Sequence, residues 1–385
     1  MEIVIDATLE RFRGELNAFL DEHAPDRASD WLFGVEGGIP DWARRWQAAL
    51  FDHGFLAPQN PVGLGGRDAT PLEVLVHLDE LSRRGLPRSF HFPGWGIVAP
   101  TLLEFGTGEQ RDLVPAALRG DDVWCVGMSE PGAGSDLAGL STRARGDGET
   151  FVVDGQKVWT SYAPWASRCL LYARSDPESR GTRGLSVFIL DLEAPGVDVR
   201  PLRHLGGEPE LAEVFLDGVV IPRERLVGRL HGGWEVATAS LGYERQGLWV
   251  EWLAAIQHVL DRLVELARER RDAVDPGTLG RLAVAVERVT ATRALGLREF
   301  ARVEDGMPPA QSFLKLATSE LSQELFELGA ELSGDDAVIS PAGPGGAGRW
   351  LSGLLKTMGD TIGGGTSEIQ REIIASAVLR LPSPR

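Results

Sequence analysis

The chain is short of several features that would fix its class at once. It has two cysteines in 385 residues. Cys125 and Cys169 are too few for a disulfide framework and have no metal-ligand spacing, so both are expected to be small buried apolar residues. The seven histidines, His23, His53, His77, His91, His204, His231 and His258, are scattered through the chain, and no metal site is expected. Basic residues are outnumbered, 39 Lys and Arg against 56 Asp and Glu, for a net charge of -17. That balance argues against a nucleic-acid partner or an anionic membrane surface. No apolar run reaches the roughly 18 residues of a spanning helix. The N-terminus carries Glu2 and Asp6 and lacks the basic start and apolar core of a signal peptide, so a cytoplasmic protein is expected.

What remains is enough for a large fold. The hydrophobic content of 43% supports a sizeable core. At about 150 residues per domain the length suggests two or three domains. Residues 5–120 read as helices with long loops. Trp42, Trp46, Leu50 and Phe55 form one stripe, and Leu72, Leu75, Val76, Leu78 and Leu81 another, behind a cap at Thr70-Pro71. From about residue 122 the pattern turns to strands: a hairpin around Asp154-Gly155, then Leu170 to Arg174, Leu185 to Leu190, and Glu213 to Leu216. From about residue 230 three apolar stripes of helical period return. They are Leu248, Trp252, Ile256, Val259, Leu263 and Leu266; Leu279, Leu282, Val286, Val289 and Leu297; and Phe313, Leu316, Leu321, Leu325, Leu328 and Leu332. With a helix from Ser367 to Leu379 they suggest a four-helix bundle, and Ser340 to Gly348 reads as a loop between its helices. The expected class is α+β, with a helical domain over 1–121, a β-barrel or sandwich domain over 122–228, and a helical bundle over 229–385.

Two segments carry chemical information. Residues 128–136 read M-S-E-P-G-A-G-S-D, in which Pro131 restricts the chain and Gly132 and Gly134 free it. Ser129 and Ser135 add hydroxyls. Downstream, Lys157-Val158-Trp159-Thr160-Ser161 sets an indole beside two hydroxyls at a strand end. That combination suits a flat heteroaromatic ring that needs hydrogen bonds at its edge. The second segment, residues 363–371, reads G-G-G-T-S-E-I-Q-R, glycines followed by hydroxyls and a helix start.

Together with Leu103 to Gln110, Glu213 to Pro222, Val227-Gly228 and Gly233-Trp234, these segments resemble the acyl-CoA dehydrogenase family in order and spacing along nearly the whole chain. The resemblance implies an FAD-dependent enzyme that converts an acyl-CoA to its trans-2-enoyl thioester. Met128, Ser129, Trp159, Thr160 and Ser161 would surround the flavin ring, Thr366 and Glu368 would touch the cofactor, and Ser135 would contact both cofactor and thioester ligand. The family reaction needs a carboxylate to take the α-proton. Many members place it directly before the Gly-Thr of the second segment, where this chain has Gly364. A second solution in the family, resembling the isovaleryl- and long-chain enzymes, puts it before an arginine on the first helix after the β-domain. Here that position is Glu244, before Arg245, so Glu244 is the expected base. Tyr243, Arg245, Gly364 and Gly365 are expected at the acyl group. The missing side chains of Gly363 and Gly364 either leave room for a branched or cyclic acyl group or serve the backbone alone.

The chain departs from the family in two places. An Arg-x-x-Phe-Gly motif is replaced by Arg270-Arg271-Asp272-Ala273-Val274-Asp275-Pro276, and a glutamine by Glu331. These changes resemble members that assemble as mixed α2β2 tetramers with fewer flavins than chains. Implied partners are an acyl-CoA or acyl-carrier-protein thioester, an electron-transfer flavoprotein, and either a homo-oligomer (dimer or tetramer) or a mixed tetramer. Two other readings stay open: a flavin monooxygenase on the same fold, and a partner subunit that completes another chain's site.

Overall fold

In the computed structural model the described residues are 7–26, 38–146, 148–207, 209–272, 274–300, 310–340 and 346–382; side chains are not described at 245–251, 254, 299–300 and 310. The helices are α1 (Ala7–His23), α2 (Asp41–Asp52), α3 (Pro71–Arg83), α4 (Ala99–Phe105), α5 (Gly108–Arg111), α6 (Val114–Arg119), α7 (Gly233–Glu269), α8 (Pro276–Phe300), α9 (Ala310–Ser333), α10 (Asp336–Ile339), α11 (Gly348–Thr357) and α12 (Ser367–Ile373). The strands are β1 (Trp124–Gly127), β2 (Arg143–Gly146), β3 (Thr150–Lys157), β4 (Arg168–Arg174), β5 (Leu185–Asp191), β6 (Val197–Leu202), β7 (Leu211–Pro222) and β8 (Leu226–Val227). The chain divides into two compact units. One comprises residues 1–35, 67–88 and 245–385, the other 36–66 and 89–244.

The second unit holds all eight strands. They follow the order β6-β7-β3-β2-β4-β5-β8, and β1 pairs with β4. The pairing is antiparallel except where β4 meets β1 and β2. β1 and β2 occupy successive stretches of the same β4 edge, Trp124 facing Arg168 and Arg143 facing Arg174. β4 and β5 are buried on both faces from Cys169 to Ala173 and from Leu185 to Leu190, and apolar there apart from Ser186 and the Tyr172 hydroxyl. β3 and β7 begin by alternating, as strands with one dry face do. The sheet closes over its own core. Phe151 on β3 and Phe188 on β5 lie three ladder steps apart, and yet their rings meet at 4.9 Å. Both cysteines lie in this core, paired across β1 and β4.

The expected hairpin at Asp154-Gly155 is not there. β3 runs straight through both residues, and the turn lies earlier, between β2 and β3. The Asp-Gly pair marks a bulge against β7. A Cβ at Gly155 would come within 2.6 Å of Thr142 Oγ1, so the glycine answers a close approach and not a turn.

In the other unit, α3 starts at the expected cap. Thr70 Oγ1 accepts from Glu73 N–H, and the Glu73 carboxylate accepts from Thr70 N–H, a reciprocal arrangement worth about 1 kcal/mol. Leu72, expected inside, is exposed, and Val74 takes its place. On α8 the buried face is Leu282, Ala285, Val289 and Thr292, whereas Leu279, Val286 and Leu297 are exposed. Small Ala285 and polar Thr292 sit on the face that packs against α9, so hydrophobicity alone misplaces that stripe. The third stripe is inside at Leu321, Leu325 and Leu328, fully buried on α9, while Phe313, Leu316 and Leu332 are only half-buried. α11 was unforeseen. It begins at Gly348, where a loop was expected to end, and drives Trp350 into the core against Phe326 at 5.8 Å between ring centres. Residues 341–345 of that expected loop, and the side chain of Leu248 in the first stripe, lie outside what is described.

Candidate active site

In the sheet-bearing unit the two motifs emerge side by side. β1 ends at Gly127 and delivers Met128 and Ser129; β3 ends at Lys157 and delivers Val158 to Ser161. Val158 N–H donates to Ser129 O at 3.0 Å, which joins them. Beneath this seam lies an ion pair. Lys157 Nζ is 2.8 Å from Glu130 Oε1, with side-chain exposures of 0% and 3%, and it also donates to Met128 O at 3.1 Å. Glu130 accepts three more hydrogen bonds, from Thr142 N–H at 2.9 Å, Ser141 N–H at 2.6 Å and Ser141 Oγ at 2.7 Å. Burial alone would raise the Glu130 carboxyl, but the Lys157 ammonium and these donors bring it down to about 2. Burial lowers Lys157, and Glu130 opposes that shift. No functional role was foreseen for either residue, although both stand inside the quoted motifs.

Beyond the seam the chain presents Trp159. Its backbone has φ 58°, in the left-handed region, and its indole is 61% exposed. A bulky residue so placed costs on the order of 1–3 kcal/mol and is a mark of functional sites. Thr160 follows, buried, its main chain laddered to Ala212 and its Oγ1 without a hydrogen-bond partner among the described residues. Ser129 and Ser161 are half-buried and Ser135 is exposed. Among the described residues no atom lies within 4 Å of where a Cβ would stand on Gly132 or Gly134. The edge of this surface thus offers an exposed aromatic face, a buried unsatisfied hydroxyl and open backbone. These residues fit a flat heteroaromatic cofactor.

Glu244 lies on α7, half-buried, one helical turn beyond Ser240. Ser240 is fully buried and joins two other hydroxyls: Tyr172 Oη donates to it at 2.8 Å, and Thr101 Oγ1 lies 2.8 Å away and itself donates to Ile97 O at 2.6 Å. This cluster ties the start of α7 to β4 and α4. Burial raises the Tyr172 phenol, its bond to Ser240 lowers it, and the charge of Glu244 raises it further. Glu244 is therefore electrostatically close to the cluster. Tyr243, expected at the acyl group, donates its hydroxyl to Glu104 on α4. The side chain of Arg245 is outside the described set.

In the helical unit the second motif is a loop that leads into α12. Gly364 and Gly365 have φ 65° and 92°. These are left-handed values that a side chain resists, so both glycines have a backbone reason. Gly363 has only Gly359 O, at 3.6 Å, near its would-be Cβ, which leaves room there. Thr366 caps α12, its Oγ1 accepting from Ile369 N–H at 3.2 Å. Glu368 is exposed, and its carboxyl is lowered by hydrogen bonds from its own backbone N–H and the Thr366 hydroxyl. Gln370 Nε2 donates to Gly364 O at 3.0 Å, while its Oε1 and the buried Ser367 Oγ have no hydrogen-bond partner among the described residues. Among the described residues no group of three His, Cys, Asp or Glu is placed to hold a metal ion, and no helix is long and apolar enough to cross a membrane.

Three family models match in succession: the acyl-CoA dehydrogenase N-terminal domain over residues 6–121, its middle domain over 125–219 and its C-terminal domain over 231–379. The chain belongs to the acyl-CoA dehydrogenase family. As a member it is an oxidoreductase of acyl-CoA thioesters in a generally flavin-dependent family. Acyl-CoA dehydrogenase IpdE1 of Mycobacterium tuberculosis is 35% identical over 88% of both chains. Among solved structures, the Tcur3481–Tcur3483 steroid ACAD is 31% identical and covers 100% of both chains at a TM-score of 0.86. The ChsE4–ChsE5 complex of M. tuberculosis is 30% identical, again over 100% of both chains, at a TM-score of 0.83. The expected α+β class, with a dehydrogenase-type helical, β and helical succession, stands.

Proposed function

We propose that this dehydrogenase binds FAD and oxidises a bulky, ring-bearing acyl-CoA at its α and β carbons, with Glu244 as the base. The base assignment is carried by the left-handed glycine at 364, where a carboxylate side chain is both absent and disfavoured, which leaves the half-buried carboxylate at 244 as the candidate. Glu244 would take the α-proton. A carboxylate suits the task because desolvation by the bound ligand raises its basicity toward that of the polarised α-carbon. The Tyr172–Ser240–Thr101 cluster would hold the helix that carries it. Met128, Ser129, Trp159, Thr160 and Ser161 would hold the flavin ring, with the unsatisfied Thr160 hydroxyl at its edge, and Ser135 would contact cofactor and thioester. Thr366 and Glu368 would touch the cofactor from the α12 segment. Tyr243, Arg245, Gly364 and Gly365 would serve the acyl group. Bound FAD would accept the β-hydrogen as hydride, and an electron-transfer flavoprotein would take the electrons onward.

The ring-bearing substrate is supported by the room at Gly363 and by the steroid ACAD among the similar structures. The test is a dye-linked assay of purified, FAD-loaded protein with straight-chain and steroid-side-chain acyl-CoAs of equal length. Higher kcat/KM on the ring-bearing series is expected; equal or lower values would overturn the substrate class. A carrier-protein thioester presents the same reacting atoms and is the alternative form of substrate.

A mixed α2β2 assembly is the proposed oligomer, with a homo-oligomer as its alternative. Arg270, at the altered motif, is spent inside its own unit, on Leu332 O, Ser333 O and Asp336. Glu331 is likewise paired with Arg281 at 2.6 Å. The retained arginine and the altered position 331 are thus both committed to contacts within their own unit. The domain limits 1–121, 122–228 and 229–385 and a cytoplasmic location complete the proposal.

A further inference from the structure

The two sheet-borne motifs present hydroxyls and an indole at their faces and carry a pair of charges beneath them. Lys157 and Glu130 are ions with essentially no exposed side chain. Replacing a buried ion pair with apolar residues of similar volume is often neutral or stabilising, so stability alone is a weak reason for charges here. The geometry supplies another. The Lys157 ammonium donates to Met128 O and to Glu130, the residues on either side of Ser129. Glu130 in turn grips Ser141 and Thr142. One continuous set of charge-assisted bonds therefore fixes three chain segments: the end of β3, the 128–130 turn, and the entry to β2. Apolar contacts are non-directional and would not hold a carbonyl and a carboxylate at set angles.

We propose that the Glu130–Lys157 pair is the positioning device of the cofactor face, holding Met128-Ser129 against Val158-Thr160 so that Ser129, Trp159 and Thr160 are set before FAD arrives. The inference rests on the FAD reading. Neither residue need touch the cofactor; both act through the backbone they hold.

The test compares FAD affinity with global stability. Single changes at either residue leave an uncompensated buried charge and unfold the region. The double variant Glu130→Gln/Lys157→Met removes both charges and keeps the volumes. Its melting temperature should stay near that of the parent, while its Kd for FAD, read by flavin fluorescence quenching, rises about 10- to 100-fold, the affinity equivalent of one hydrogen bond to a charged group. The resolved shoulder of the bound flavin's visible band should blur. If the double variant does not fold, Ser141→Ala decides. That exposed residue loses only its Oγ donor to Glu130, and the Kd should rise about threefold at unchanged melting temperature, less than a full hydrogen bond's worth. A folded double variant, or Ser141→Ala in its stead, with parental Kd and parental flavin spectrum overturns the positioning role. A parent that takes up no FAD, alone or with a partner chain, overturns the FAD reading and this inference with it.

Discussion

The turn at 128–136 closes on one backbone bridge, Glu130 with Ala133, and is anchored by buried charged side chains, whereas the loop at 359–366 is built of successive backbone turns with neutral-amide and lysine side chains at its edges. In the first, a buried ammonium and carboxylate with four further hydrogen bonds fix the main chain, and the glycines at 132 and 134 stand in open space. In the second, successive turns close on themselves: Gly359 N–H on Lys356 O, Ile362 N–H and Gly363 N–H on Gly359 O, and Ser367 N–H on Thr361 O. Two glycines there adopt left-handed values, and Lys315 and Gln370 add a hydrogen bond at either end. The difference teaches that glycine content by itself does not tell what a segment needs. One needs glycine for access and charge for shape; the other needs glycine for shape.

Acid should break the first segment and spare the second, and this is the largest effect expected. The buried His91 imidazole, whose Nε2 sits 2.7 Å from Trp124 O at the start of β1, is pushed by burial from 6.5 down to about 4. The unfolded chain binds that proton first, so the stability it contributes is complete above pH 6.5 and is lost as pH falls toward 4. The loss approaches about 3 kcal/mol. Glu130 adds a second loss, from its ordinary 4.5 toward about 2. Hydrogen-exchange protection measured at pH 7 and pH 4.5 should collapse in β1 and the 128–136 turn before it falls in the 359–366 loop. Equal loss in both would show that no such difference exists.

Next in size are the glycine substitutions. Gly365→Ala must place a Cβ at φ 92° and 2.7 Å from Gln370 Nε2, and it should cost about 1–3 kcal/mol. Gly134→Ala, in open space and without a left-handed φ, should cost nothing or stabilise by about 0.4–1 kcal/mol through the unfolded chain. Urea melts of the two variants read the difference, and equal midpoints would erase the distinction drawn here.

The smallest effect concerns Trp159. Glycine at 159 relieves a strain of about 1–3 kcal/mol and adds about 0.4–1 kcal/mol of unfolded-state freedom, so Trp159→Gly should be stable to within about 2 kcal/mol, on the stabilising side. FAD binding should weaken at the same time. A lower melting temperature together with unimpaired FAD binding would mean that the left-handed tryptophan has no functional reason.

Much of this was legible in the chain. Period-3.6 stripes at Ile256, Val259 and Leu263 and at Leu321, Leu325 and Leu328 mark true buried faces, because long helices repeat their burial often enough to be read. α8 was misread at Leu279, Val286 and Leu297 because its packed face is built of small and polar residues that carry little hydrophobic signal. Asp154-Gly155 has the composition of a hairpin turn and the structure of a bulge, because the pairing partner that decides between them, Val219 and its neighbours on β7, lies far along the chain. At the site, the hydroxyls and indole could be named from the motif. The Glu130–Lys157 pair and the Tyr172–Ser240–Thr101 cluster could not, since each is assembled from residues distant in sequence. A signal for the first was present: a lysine directly before an apolar residue at a strand end, where burial demands a counter-charge.

The assignment of Glu244 is tested most directly by rapid mixing. FAD-loaded parent and Glu244→Gln are mixed anaerobically with a ring-bearing acyl-CoA, and bleaching of the flavin band is followed. With the base removed and the fold and flavin retained, the reduction rate should fall by about 10²–10⁴-fold or more. A variant that bleaches within a few-fold of the parent would contradict the account, because proton removal would then belong to another group.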